Sequence, residues 1–192
     1  WHSFLEGLAF VRSRRVIISL LLLDLGATVL GSYRALLPIF ADIHGVGATG
    51  YGLLTGAPGV GAVIGATGIL SLGDMRYKGM YTVGGVLGYC AGLMVLALAP
   101  WFGIALLGGA ILGATNAIQM IPRNTVILAV SPDALRGRVE AFRSMLAGGG
   151  PPLGYTLSGA IAAAIGAPAA LIVGGIACVG LVGAIASWDR AL

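Results

Sequence analysis

Long apolar runs with almost no charge recur along the whole chain, and short segments rich in glycine and proline separate them. The hydrocarbon core of a bilayer is about 30 Å thick, so a helix needs about 20 mostly apolar residues to cross it. The runs show no ten-residue alternation of apolar and polar positions, which argues against membrane β-strands. We therefore predict an all-α integral membrane protein with six transmembrane helices, at residues 16–40, 51–72, 80–99, 102–128, 143–165 and 167–186.

The composition excludes a soluble domain beside these helices. Hydrophobic residues make up 58% of the 192 residues and charged residues only 9%, which is too little charge to keep a globular domain dispersed in water. We expect residues 1–192 to form one six-helix transmembrane domain. The first residue is Trp1, and residues 12–15 resemble a connecting loop that enters a helix. The chain is thus expected to be part of a longer protein.

The basic residues predict the orientation in the membrane, because Lys and Arg near the ends of spans remain on the cytoplasmic side. Nine of the eleven fall on one side of the six-helix arrangement: Arg12, Arg14, Arg15, Arg76, Lys78, Arg136, Arg138, Arg143 and Arg190. Both termini are therefore expected in the cytoplasm, with the chain in the plasma (inner) membrane. The net charge of +4 is a topology signal, and no nucleic-acid partner is expected.

Polar side chains inside two of the spans are the candidate functional residues. Asp24 lies about 12 Å from the inner end of the first span, and Thr28 lies on the same helix face. Asn116, Gln119 and Arg123 form one polar stripe on the fourth span, at spacings of three and four residues. An ionisable group at this depth costs at least about 2.5–3.5 kcal/mol unless it is paired or faces water. We predict that these five residues line a substrate and ion pathway.

Asp24 and Arg123 lie at similar predicted depths, so the two side chains could meet across a cavity. The alternative is that Arg123 extends to the cytoplasmic interface and Asp24 serves helix packing. Asp24 is the only carboxylate deep in these spans and is the candidate protonation site. Arg34 lies near the outer end of the first span and is interpreted as an interfacial anchor.

Small residues are the third feature of the spans. Glycines recur four residues apart, a spacing that lets helix backbones approach closely in lipid: Gly61 and Gly65; Gly84, Gly88 and Gly92; Gly109 and Gly113; Gly150 and Gly154. Gly150, Pro151 and Pro152 predict a kink in the fifth span, which could serve packing or gating. Cys90 and Cys178 are interpreted as small apolar filler, and His44 as solvated. No metal site or cofactor is expected.

Several segments resemble one transporter family. Residues 6–11 (EGLAFV), 21–25 (LLLDL) and 35–41 (ALLPIFA) form one set, and residues 122–125 (PRNT) and 131–139 (SPDALRGRV) form a second. The chain resembles the C-terminal six-helix half of a major facilitator superfamily transporter, in the drug and siderophore exporter branch of the enterobactin exporter type. That resemblance implies two inverted three-helix repeats, with the first and fourth spans lining a central cavity.

The resemblance also implies a cytoplasmic gate. Residues 68–79 are similar to the loop signature of the family, and depart from it at Gly73 and Tyr77. By this likeness a gate would comprise Asp74, Arg76, Lys78, Arg136, Arg138 and Glu140. The same residues could instead form a solvated basic loop that only sets topology.

The expected function is secondary active efflux of a lipophilic, drug-like or siderophore-like small molecule by alternating access, driven by protons. The implied partners are the substrate, protons, the N-terminal half of the same transporter and the lipid bilayer. A membrane-embedded enzyme is not expected, because no nucleophile and base or metal-ligand cluster lies inside the spans. A non-transporting membrane scaffold or a channel-like assembly is the alternative that fits the composition.

Overall fold

A computed structural model describes residues 15–71, 78–130 and 133–188, and in these ranges the chain is helical with no strand. The helices are α1 (Arg15–Leu30), a 3-10 turn (Arg34–Leu36), α2 (Leu37–Ile43), α3 (Gly47–Ser71), α4 (Lys78–Ala97), α5 (Phe102–Val130), α6 (Asp133–Ile165) and α7 (Ala167–Trp188).

The packing order of the helices differs from their order in the sequence. Helix α5 packs between α3 and α4, and α4 also packs against α7. Helix α7 contacts α1 and α6, and α1 and α6 pack against each other. Helices α1 and α5 carry the predicted polar residues. They pack mainly against different neighbours, so they can form two walls of a space between them.

The surface of α3 is apolar on both faces, as expected for a helix in lipid. Its inner face is formed by residues three or four apart that are buried against neighbours, including Leu54, Pro58 and Gly61. On the outer face Val63 is 68% exposed and Leu70 is 69% exposed. A soluble protein would place polar side chains there, whereas a bilayer accepts apolar ones.

Three helices in the described ranges are long and apolar enough to cross a membrane: Gly47–Ser71, Phe102–Thr125 and Ala167–Ala184. They correspond to the second, fourth and sixth predicted spans. Tyr81–Ala97, within the third predicted span, is a shorter apolar helix. The first span is divided, and the fifth lies within α6. The expectation of an all-α membrane protein is thus supported, while six crossings remain a prediction.

The first predicted span is not one continuous helix, which corrects the prediction for residues 16–40. Helix α1 ends at Leu30, and the chain resumes with the 3-10 turn and α2. At the break the carbonyl of Gly31 accepts hydrogen bonds from the Tyr89 hydroxyl at 2.7 Å and from the Tyr33 backbone N–H at 2.9 Å. These contacts satisfy a backbone group that a continuous helix would have paired internally.

Glycines bring the helix backbones into close contact, as predicted. Added Cβ atoms at Gly61 and Gly113 would overlap backbone atoms of the facing helix, namely Ala110 and Pro58. Such overlap leaves no room for a larger residue between α3 and α5. Among the glycines named from the sequence, Gly84 differs, because an added Cβ there would meet nothing within 4 Å.

Helix α6 continues through Gly150, Pro151 and Pro152 without interruption. It begins at Asp133, ten residues before the start of the predicted fifth span. Gly150 is buried, and a Cβ there would lie 3.2 Å from Leu25 Cδ1 and 3.4 Å from Thr28 Cγ2. The kink itself remains a prediction, but this glycine has a packing role beside Thr28.

His44 is half-buried and contacts two backbone carbonyl groups, although the sequence predicted a solvated side chain. Its Nδ1 lies 2.8 Å from the carbonyl oxygen of Phe40, and its Nε2 lies 3.3 Å from that of Ala99. The imidazole thereby links α2 to the connection between α4 and α5.

Candidate functional site

A cavity of about 420 Å³ lies between α1, α3, α5 and α6. This volume is within the range of about 300–1,000 Å³ that small-molecule sites commonly have. Four of the five predicted pathway residues line it: Asp24, Thr28, Asn116 and Arg123. The spacing rules that placed Thr28 beside Asp24, and Asn116 on the face of Arg123, thus identify residues of a common wall.

Asp24 and Arg123 form an ion pair in which Nη1 of Arg123 donates to Oδ1 of Asp24. The side chain of Arg123 is 6% exposed and that of Asp24 is 24% exposed. Arg123 therefore depends on Asp24 for neutralisation, while the carboxylate keeps one side open to the cavity. The pairing suggested by their depths is present, and Arg123 does not extend away from Asp24 to an interface.

The polar stripe on α5 is divided between the cavity and the packed interior. Asn116 is exposed, whereas Gln119 is buried beside Gly85 of α4 and does not line the cavity. Gln119 Nε2 donates to Asn116 Oδ1 at 3.4 Å. Within the described ranges, Gln119 Oε1 and Arg123 Nε are buried without a hydrogen-bond partner. Gln119 thus holds Asn116 by a hydrogen bond from the packed side of α5. The ion-paired Arg123 and its stripe neighbour Gln119 each keep one polar atom with unused hydrogen-bonding capacity.

The wall of the cavity also contains residues that the sequence interpretation missed. Arg34, interpreted as an anchor, lines this cavity and a second one of about 260 Å³. Tyr33 and Tyr155 line both cavities, and Tyr89 lines the larger. The sequence did contain a signal for Arg34, because it is a charged residue inside an apolar run. The tyrosines gave no such signal, because aromatic residues are common in membrane helices.

The predicted gate lies only partly within the residues that the structure describes. Asp74 and Arg76 lie outside the described residues, and Lys78 begins α4 with a side chain that is also outside them. On α6, Arg136 is exposed, and Arg138 and Glu140 are half-buried. A contact between the two sets of residues stays a prediction.

The described residues contain no group of three or more His, Cys, Asp or Glu side chains that could hold a metal ion. The described residues that line the cavity offer one ion pair, one further guanidinium group, amide and hydroxyl groups, and apolar surface. Such a site can bind and release a small molecule.

A family model described as Major Facilitator Superfamily matches residues 16–191. No match was found among curated proteins or among solved structures.

Proposed function

The chain belongs to the major facilitator superfamily, and on that premise we propose that it forms the C-terminal half of a proton-driven exporter of small molecules. Membership in this family supports membrane transport of a small-molecule substrate across a lipid bilayer. Export, proton coupling, the siderophore and drug branch, and the presence of an N-terminal half are parts of the proposal.

The ion pair between Asp24 and Arg123 is the observation that carries the proposal. The two residues are 99 positions apart in the sequence, and their ion pair lies on the wall of a cavity. A charged pair inside an apolar bundle is costly to maintain without a function. Because Asp24 is open to the cavity, a proton can reach its carboxylate there. Protonation would remove the charge that neutralises Arg123 and would favour a separation of α1 from α5.

In an alternating-access cycle, protonation of Asp24 would affect the side of the membrane to which the cavity opens. A substrate enters the cavity from the cytoplasm or the inner leaflet, and the two halves of the transporter rock to expose it on the other side. Proton binding at Asp24 loosens the contact between two walls of the cavity and so biases one of the two orientations. The basic residues outside the membrane-embedded runs support cytoplasmic termini in a plasma (inner) membrane.

A membrane scaffold or a channel-like assembly is the second proposal. The exposed apolar faces of α3 and α7 suit any protein embedded in lipid and do not favour transport. A channel would give flux that does not saturate and does not depend on an ion gradient. The buried ion pair inside a cavity of ligand size favours the transporter.

The test measures efflux from proteoliposomes that contain the full-length transporter, including the proposed N-terminal half. Several lipophilic dyes and a catechol siderophore are measured with and without an imposed proton gradient. Saturable, gradient-dependent efflux is expected for the wild type, and Asp24→Asn should lose the dependence on the gradient. Asp42→Asn is the matched control, because Asp42 is exposed on α2 and does not line either cavity. An Asp24→Asn variant that keeps gradient-dependent efflux would remove Asp24 from the coupling role.

A further inference from the structure

Arg34 lines the same cavity as the ion pair. It follows Asp24 by ten residues along the first span, beyond the break in α1. It lines both the 420 Å³ cavity and the neighbouring cavity of about 260 Å³. Its side chain is exposed, so the guanidinium group is accessible to a molecule that enters either space.

The charges on the cavity walls do not balance. Among the described residues that line the two cavities, the charged side chains are Asp24, Arg34 and Arg123. Asp24 is paired with Arg123, which leaves the positive charge of Arg34 without a carboxylate on these walls. A cavity with one excess positive charge attracts an anion and disfavours a cation.

Tyrosines surround Arg34. Tyr33 lines both cavities with Arg34, and its ring packs edge-on against Tyr89 at a centroid distance of 6.3 Å. Tyr51 and Tyr155 line the smaller cavity with Arg34, and they are 41% and 40% exposed. Their rings offer surfaces for an aromatic group, and their hydroxyl groups can donate hydrogen bonds to an anion.

We propose that Arg34, Tyr33, Tyr51 and Tyr155 form a subsite for the anionic group of an aromatic organic substrate. The inference rests on the proposed transport function and specifies its substrate class. Arg34 pairs with a carboxylate or a similar anion, and the tyrosines contact the adjoining ring. The separate ion pair between Asp24 and Arg123 remains available for the proton.

The experiment measures equilibrium binding to the complete polypeptide in phosphatidylcholine nanodiscs, without any gradient. The probes are 2-naphthoate, its methyl ester and 2-naphthylmethylamine, which share a ring system and differ in charge. The wild type should bind the carboxylate about tenfold tighter than the ester or the amine, as a charged hydrogen bond implies. Arg34→Gln should abolish this preference without weakening ester binding, and Arg34→Lys should keep most of it. Tyr155→Phe should weaken carboxylate binding, with Tyr81→Phe as the control outside both cavities.

Each outcome decides the proposal. A wild type that does not prefer the carboxylate overturns it, as does an Arg34→Gln variant that keeps the full preference. If Arg34→Gln also fails to bind the ester, that variant is misfolded. The test then depends on whether the wild type and Arg34→Lys bind the carboxylate more tightly than the ester. Phosphatidylglycerol added to the nanodiscs tests whether the subsite binds an anionic lipid headgroup or a soluble anion. If it displaces 2-naphthoate from the wild type and Arg34→Gln removes that competition, the subsite holds lipid and the substrate assignment is wrong. Failure here leaves the efflux assay unaffected, because binding is measured without transport.

Discussion

Arg123 of α5 and Asp24 of α1 form an ion pair on the wall of the cavity, with the arginine buried and the carboxylate partly open. This asymmetry distinguishes the two partners. Loss of the carboxylate leaves a buried cation without neutralisation, whereas loss of the arginine leaves an anion that the cavity can hydrate.

The two single substitutions should therefore differ in stability. Asp24→Asn should lower the free energy of unfolding by about 3 kcal/mol, the cost of breaking a buried pair. Arg123→Gln should lower it by only about 1 kcal/mol, since the remaining carboxylate is partly hydrated. The double variant should be more stable than Asp24→Asn alone. Reversible denaturation in SDS micelles measures all three, and strictly additive effects would contradict a direct pair.

A glycine substitution tests the close contact between α3 and α5. Gly61→Ala should destabilise the bundle by about 1–3 kcal/mol, because its Cβ would overlap the backbone of Ala110. Gly56→Ala on the same helix is the control, since a Cβ there meets nothing within 4 Å. It should be neutral or stabilising by about 0.5 kcal/mol. Equal losses at both positions, measured by the same denaturation, would argue against this packing.

The two cysteines test the packing of α4 against α7. Cys90 and Cys178 are both free, and both are buried in one apolar cluster. We expect dibromobimane to crosslink them and become fluorescent in a variant that has no other cysteine. Cleavage at a protease site introduced between α5 and α6 should then leave the two fragments joined.

Two controls accompany the crosslinking. Cys90→Ala and Cys178→Ala should each give no fluorescence and two separate fragments after cleavage. If dibromobimane reacts with Cys90 and Cys178 separately and does not crosslink them, α4 and α7 lie further apart than in this structure.

Tyr89 tests the break in the first span. Tyr89→Phe removes the hydroxyl that donates to the Gly31 carbonyl. That carbonyl keeps the hydrogen bond from the Tyr33 N–H, so the loss should be small, about 1 kcal/mol. Tyr81→Phe on the same helix should cost less than half of this. A loss of several kcal/mol at Tyr89 would mean that the hydroxyl has a further partner.

Several features of this structure are predictable from local sequence. The apolar runs predicted helices because the bilayer leaves the backbone few alternatives. Asp24 and Arg123 were identified as a potential pair because the helical rise converts sequence position into depth. The glycine spacing likewise predicted close backbone contact, which Gly61 and Gly113 show.

Other features depend on contacts that no single segment encodes. The run from 16 to 40 is apolar throughout the break, and the break is stabilised by Tyr89, which lies 58 residues away from Gly31. The smaller cavity likewise combines Arg34 with Tyr51 of α3 and Tyr155 of α6, which are distant from it in the sequence. Gln119 belongs to the polar stripe on α5 by spacing, but the packing of Gly85 buries it.

The break at Gly31 also means that two distant parts of the chain must meet before the first span has all of its hydrogen bonds. A nascent α1 that enters the membrane before α4 has the local bond from the Tyr33 N–H to the Gly31 carbonyl, but it has no Tyr89 hydroxyl. In lipid, no water is present to take the place of that donor. Insertion of α4 therefore supplies the second donor at the break, and a helix encoded downstream completes the hydrogen bonding of one encoded upstream.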